Sequence, residues 1–247
     1  MERDAGAPVA TFFTPTPVAS GETTTLGEHA AHHARVKRLD VGDVVRLTDG
    51  AGHAGRGAII DVRRGALDVA VARVDQVARP SPIHVRVPIG DRDRMLWLAE
   101  KATELGVTSW QSVRFRRSAS VSPRGEGPVF AEKLRARMTS ALEQSGGAWL
   151  PAILPEVGVV DLSFGAQQLG IVLDIGGESL PAILRLAKGA EPVILFGPEG
   201  GIERDEIERL IANAWRRARL ALTTLRFETA GIAAVAVCRA LETEPGH

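Results

Sequence analysis

The chain has 247 residues, 45% of them hydrophobic, and its 30 Lys and Arg balance its 30 Asp and Glu. That composition excludes a disordered chain, because enough apolar surface is present to offset the entropy lost on ordering. It also excludes a collagen-like repeat, since the 26 Gly and 14 Pro follow no three-residue period. The single cysteine, Cys238, excludes an internal disulfide and a cysteine-based zinc site, and points to a reducing compartment.

Residues 9–82 read as short strands broken by turns, with a helix between Glu28 and Arg38. Val44–Thr48 is β-branched and apolar and runs into the turn signal Asp49-Gly50. Gly57–Val62 is its expected partner, and Leu67–Val74 alternates after the turn at Arg64-Gly65. A small β-barrel over residues 1–79 is the expected first domain. Arg79-Pro80-Ser81-Pro82 reads as a linker.

From Ile83 the pattern changes to alternating strands and helices, which implies a mostly parallel sheet covered on both faces over residues 83–247. Strands are expected at Ile83–Ile89, Thr108–Val113, Gly170–Ile175, Pro192–Phe196 and Arg219–Thr224. Helices are expected at Arg92–Leu105, with Gly106 as C-cap, at Val129–Gln144, at Leu180–Ala187, at Arg204–Ala214, and in a closing segment that reaches Glu242. The longest apolar stretch, Ala230–Val237, is far short of the roughly 20 residues of a membrane span. Met1-Glu2-Arg3-Asp4 does not begin a secretory leader, so a cytoplasmic protein is expected.

Five segments carry chemistry. Val193–Phe196 is a buried strand that ends in Gly197-Pro198-Glu199-Gly200-Gly201 and opens a helix at Arg204. Glycines there let backbone approach a ligand, and in open α/β sheets ligands bind at the carboxyl ends of strands. The segment is neither a Walker phosphate loop nor a GxGxxG turn, and Glu203, Asp205 and Glu206 would repel a phosphate. Leu225–Gly231 holds Arg226, which suits an anion or an acidic partner, and Glu228, which suits a helix cap or an acid–base role. Glu100–Val107 is a charged helix end, followed by Arg114, Arg116 and Arg117 beyond the next strand. Glu143-Gln144-Ser145-Gly146 ends a helix. His32–Arg38 places Arg35, Lys37 and Arg38 on the small barrel as a phosphate-contact surface. Its adjacent histidines point to different helix faces, so no metal site is expected.

Taken together, the ordered set His-xx-Arg-Val, Lys-Ala-Thr-Glu-Leu-Gly-Val, Glu-Gln-Ser, Gly-Pro-Glu-Gly-Gly and Leu-Arg-x-Glu-Thr-Ala resembles the RsmE family of SPOUT methyltransferases over nearly the whole chain. The resemblance implies an N-terminal PUA-like β-barrel and a C-terminal α/β domain with a trefoil knot, against the usual absence of knots. It implies a homodimer that binds S-adenosylmethionine in the knot and methylates N3 of a uridine in 16S rRNA, as naked RNA or in the small ribosomal subunit. The cofactor walls it implies are Leu173, Asp174 and Gly176; Leu195, Phe196, Gly197, Gly200 and Gly201; and Leu220, Leu222, Leu225 and Arg226. Arg226 and Glu228 are the implied catalytic residues: the arginine stabilises charge on the uracil, and the glutamate is a base or an orienting group. Arg35, Lys37, Arg38, Arg114, Arg116 and Arg117 are the implied RNA contacts, and neither a metal nor a membrane is implied.

The chain departs from the family pattern at Ala221, where a glycine is usual, and at Thr223 and Gly147, where arginines are usual. The charge is also uneven. Residues 83–150 carry 11 basic and 7 acidic side chains, and residues 151–247 carry 9 and 13. Two other readings stay open: a SPOUT enzyme for another RNA such as tRNA, and an RNA-binding assembly factor without turnover. Binding of S-adenosylmethionine discriminates the last from the others.

Overall fold

The computed structural model describes residues 7–118 and 123–242, so the N-terminal tetrapeptide read for a leader lies outside the described residues. The chain divides into two compact units. The first comprises the described residues up to Arg79 together with Thr139–Leu150, and the second comprises Pro80–Met138 and the described residues from Pro151. Sequence reading assigned 139–150 to the second domain; the structure packs this segment with the first unit.

In the first unit, β1 (Thr11–Phe13), β2 (Thr23–Leu26), β3 (Val44–Thr48), β4 (His53–Val62) and β5 (Leu67–Gln76) form one sheet in the order β1-β3-β4-β5-β2. β1 runs parallel to β3 and the other pairs are antiparallel. One core contains Phe12 and Leu26 from the edge strands, Val45, Leu47, Ile59 and Val69 from the middle, and Ala30, Ala31 and Ala34 from α1 (Glu28–Val36). Edge strands that share one core require the sheet to curl, and the two register shifts in β4 supply bends. Among the described residues no ladder joins β1 to β2, so the barrel stays open between them. Gly57 is needed where the ladder is tightest, because a Cβ there would meet the backbone of Ala70.

The second unit has a six-stranded, wholly parallel sheet. Its strands are β6 (His84–Pro88), β7 (Ser109–Arg114), β8 (Ala152–Gly158), β9 (Gln168–Ser179), β10 (Glu191–Leu195) and β11 (Arg216–Arg219), in the order β11-β9-β10-β6-β7-β8. The interleaved helices are α2 (Arg92–Glu104), α3 (Gly127–Ser145), α4 (Leu180–Leu186), α5 (Arg204–Ala212) and α6 (Phe227–Glu242). Asp91 caps α2 by accepting the N–H groups of Asp93 and Arg94 at 3.1 and 3.0 Å, and Gly106 leaves it at φ +71. Leu210 of α5 packs on Val113, Val172, Val193 and Leu195, while α6 packs against α2, α4, β6 and β10.

Two strands depart from the sequence reading. β8 was missed because it is an edge strand without a buried residue and with Pro155 in its middle. β11 lies at Arg216–Arg219 instead of Arg219–Thr224. Its polar residues suit an edge: Arg217 pairs with Asp174 at 2.5 Å and Arg216 with Glu178 at 3.4 Å. The apolar stretch beginning at Leu220 is therefore free to be a loop. Cys238 is packed in α6, where burial pushes its thiol up to about 12, so it is core and not a nucleophile.

Candidate functional site

Ligands of parallel sheets bind beyond the strand carboxyl ends, and three chain segments meet beyond those of β9, β10 and β11. Along β9, the register against β11 jumps from Val172 to Glu178, so Leu173–Gly177 bow out of the ladder. The excursion requires bare backbone: a Cβ on Gly177 would lie 2.6 Å from the backbone of Arg217 and Ala218. Asp174 holds it in place, accepting the N–H of Gly176 at 2.8 Å and the Arg217 guanidinium at 2.5 Å.

The second segment leaves β10 at Leu195 and turns through Pro198–Gly201, closed by the Gly201 N–H donating to the Pro198 carbonyl at 2.8 Å. Gly201 has φ +75, and a Cβ on Gly197 would lie 2.7 Å from Ile202. Behind this turn, the carboxylate of Glu206 is 1% exposed. It accepts the N–H of Arg116 and that of Glu203, both at 3.0 Å, and so fixes the start of α5. The third segment, Leu220–Leu225, makes no backbone–backbone hydrogen bond among the described residues, leaving its amides and carbonyls available.

Together these segments enclose a cavity of about 230 Å³. Of the expected wall residues, Leu173, Asp174, Phe196, Gly197, Gly201, Leu220 and Leu225 line it. The remaining expected residues stand elsewhere. Leu195 is fully buried in the sheet, Gly176 lies against the Arg217 guanidinium, Gly200 lies against the carbonyl of Arg117, and Leu222 is 85% exposed. Arg226 is exposed at the end of the loop, outside the lining. Ile175, Pro198 and Thr224 also line it and fall within the three expected wall segments Leu173–Gly177, Leu195–Gly201 and Leu220–Arg226, whereas sequence reasoning missed Ile202, next to Gly201, and also Phe227 and Ala230. The last two share one helix face at i and i+3 on the first turn of α6, a spacing that was visible. Ala221 and Thr223, two of the departures from the family pattern, both line the cavity.

Charge sits beside the cavity. Glu228 is 8% exposed, and its Oε2 has no hydrogen-bond partner. Its Oε1 lies 4.0 Å from Nε of Arg94, which also donates to Glu199 at 3.3 Å. Arg226 has no ion pair or side-chain hydrogen bond among the described residues.

A family model described as an RNA methyltransferase domain matches residues 78–239, and one described as an RNA methyltransferase PUA domain matches residues 26–72. The chain belongs to the RNA methyltransferase family. A relative from Synechocystis, a ribosomal RNA small subunit methyltransferase E, is 27% identical over 89% of this chain and 73% of its own length. The protein of that name from Mycobacterium bovis is 29% identical over 85% of this chain and 82% of its own length. The crystal structure of the Neisseria gonorrhoeae methyltransferase E, bound to S-adenosyl methionine, superimposes with a TM-score of 0.82. It is 26% identical and the match covers 94% of this chain and 97% of that one. This RNA methyltransferase therefore has the PUA-like first domain and α/β second domain that the resemblance implied.

The expected RNA contacts of this methyltransferase fall into two classes. Lys37 and Arg38 are exposed and have no acidic partner among the described residues, whereas Arg35 donates to the carbonyls of Arg63 and Arg64 at 3.0 and 2.9 Å and ties down the β4–β5 turn. Arg114, Arg116 and Arg117 are all paired already. Arg114 meets Glu126 and Glu156, Arg116 meets Glu203 at 2.7 Å and Asp205, and Arg117 meets Glu203 at 3.3 Å. The hydrogen bond it donates to Asp205 holds the Arg116 guanidinium above its usual range, and the one donated to Glu156 does the same for Arg114. Among the described residues no group of three His, Cys, Asp or Glu can hold a metal, and no helix is long and apolar enough to cross a membrane.

Proposed function

We propose that this chain transfers the methyl group of S-adenosylmethionine to N3 of a uridine in 16S rRNA of the small ribosomal subunit, in the cytoplasm and as a homodimer. The observation that carries the reading is the strand-end cavity. Its walls are bare backbone and apolar side chains, in a fold whose Neisseria gonorrhoeae relative binds S-adenosyl methionine.

The residues fit that cofactor. The unpaired amides and carbonyls of Leu220–Leu225 would hold its polar ends, and Leu173, Phe196 and Leu225 supply apolar walls for its base. The bowed Leu173–Gly177, the turn after Phe196 and this loop are the segments a trefoil knot would thread. When bound, the cofactor supplies an already activated methyl group. The protein's own share is alignment of the uridine and management of the N3 proton.

Arg226, beside the cavity and without a side-chain partner among the described residues, would hold the uracil oxygens as negative charge develops on the ring. Glu228, with one free oxygen, would take the N3 proton or orient Arg226, and Arg94 would steady its other oxygen. A pH–rate profile separates the two roles, because Glu228→Gln abolishes the acidic limb only if the carboxylate is the base. Lys37 and Arg38 would meet phosphates directly; Arg114, Arg116 and Arg117 would do so by exchanging carboxylates for phosphates.

The test is methyl transfer from labelled S-adenosylmethionine to small subunits from a strain lacking this gene, with nucleoside analysis and light scattering for the dimer. N3-methyluridine is the expected product. Cofactor binding without transfer would redirect the enzyme to another RNA such as tRNA, and loss of both would leave a non-catalytic RNA-binding factor.

A further inference from the structure

Two of the sequence segments that carry the family resemblance contribute nothing to the strand-end cavity: His32–Arg38 and Glu143-Gln144-Ser145. The fold brings them together in the first unit. α1 contributes His29, His32, His33, Val36 and Lys37 to one side of a cleft, and the last turns of α3 contribute Ser140, Glu143 and Gln144 to the other. This cleft, at about 520 Å³, is larger than the strand-end cavity.

We propose that the cleft binds a nucleotide of single-stranded substrate RNA, base inside and phosphate at the rim. This rests on the RNA methyltransferase reading and adds to it a site where the RNA is gripped. The chemistry of the lining points to that ligand. Three imidazoles offer flat faces on which a base stacks. The His33 ring is held edge-on to Phe12, with centroids 5.4 Å apart, so one such face is fixed in advance. The Gln144 carboxamide and the Ser140 hydroxyl have no partners among the described residues, and they provide the donors and acceptors that a base edge requires. Lys37 lines the cleft and Arg38 follows it in the chain, both without acidic partners among the described residues. Glu143 is the one carboxylate in the lining. It is 8% exposed, and its Oε1 accepts the N–H of Phe13 at 2.8 Å, so it is tied to β1.

The test is a titration of the full chain, without S-adenosylmethionine, with a uridine-containing single-stranded oligonucleotide, observed on the histidine ring protons by NMR and assigned with single His→Gln variants. The His32 and His33 signals should shift while His53, elsewhere in the unit, and His84, in the other unit, stay in place. Binding with His32 and His33 unmoved would overturn the proposal. In parallel, Gln144→Ala and His32→Ala should each weaken oligonucleotide affinity about tenfold and raise KM for small subunits more than they lower kcat, with S-adenosylmethionine affinity intact. Arg73→Gln, on an exposed strand of the same unit, should change none of these. Unchanged oligonucleotide affinity in both cleft variants would also overturn the proposal. Absence of methyl transfer by the wild type would count against the function proposed above, and the oligonucleotide titration would still decide for or against the cleft.

Discussion

The strand-end cavity of the second unit and the α1–α3 cleft of the first are built from opposite materials. The cavity is shaped by backbone: a strand that bows out at Leu173–Gly177, a turn that needs Gly197 and Gly201, and a loop that makes no backbone–backbone hydrogen bond among the described residues. Its charges stand outside the lining, apart from Asp174, which is neutralised by Arg217. The cleft is shaped by side chains carried on two regular helices, and its backbone groups are spent within those helices. A site of the first kind is damaged by adding a methyl group, and one of the second kind by removing a functional group.

The largest effect is expected at Arg226, which has no ion pair or side-chain hydrogen bond among the described residues. Arg226→Ala should lower kcat by about 10²–10³, comparable with the loss of a single charge-stabilising donor, and leave S-adenosylmethionine affinity unchanged. A matching fall in cofactor affinity would show that Arg226 only shapes the loop. Next comes Gly177→Ala. The added Cβ would lie 2.6 Å from backbone that cannot swing aside, so the bow must shift at a cost of about 1–3 kcal/mol. Calorimetric binding should show a roughly 10–100-fold loss of cofactor affinity. Gly65→Ala, at a turn with open space around it, is the control. Equal cofactor affinity in the two variants would contradict the backbone-shaped reading of the cavity.

How far the sequence revealed this contrast follows from how local each signal was. β3 is found at Val44–Thr48 as expected, and Gly106 ends α2, because β-branched runs and C-cap glycines act over a few residues. The glycine turn after Phe196 was legible for the same reason. The bow at Leu173–Gly177 was not, since it exists only in the register of β9 against β11, and β11 itself was hidden by its arginines. The neutralisation of Arg117 by Glu203 joins residues 86 positions apart. The acidic run is visible in the sequence as hostile to phosphate, but its arginine partners are not. The cleft was illegible as a whole, because it depends on the end of α3 packing with the first unit.

Within the cleft, the buried carboxylate offers a subtler test. Glu143→Gln keeps an acceptor for the Phe13 N–H but removes its charge, which should cost about 1 kcal/mol of stability. Thermal unfolding should show a fall of several degrees at most, with cofactor affinity intact. A loss of cofactor affinity as large as that of Gly177→Ala would mean that the two sites are not separable in the way their construction suggests.

The smallest effect on stability concerns the arginines that the sequence assigned to RNA. Asp205 is held below its usual 3.8 by the hydrogen bond from Arg116. A carboxyl depressed on folding contributes stability above its unfolded value and loses it as pH falls through the lower folded value. Asp205 is nearly half exposed, so that contribution is screened. Asp205→Asn should leave the melting temperature at pH 7 unchanged and remove only a slight acid dependence below about pH 4. Its effect on RNA should be larger. With one of its two acidic partners neutralised and Glu203 retained, Arg116 becomes easier to transfer to a phosphate. Binding of small-subunit RNA should tighten a few-fold, and its salt dependence should steepen by less than the roughly 0.9 expected for one full phosphate contact. If affinity and salt slope both stay at the wild-type values in low salt, Arg116 belongs to the scaffold of the glycine turn, where its N–H already meets Glu206, and the RNA is held by Lys37 and Arg38 on the other unit.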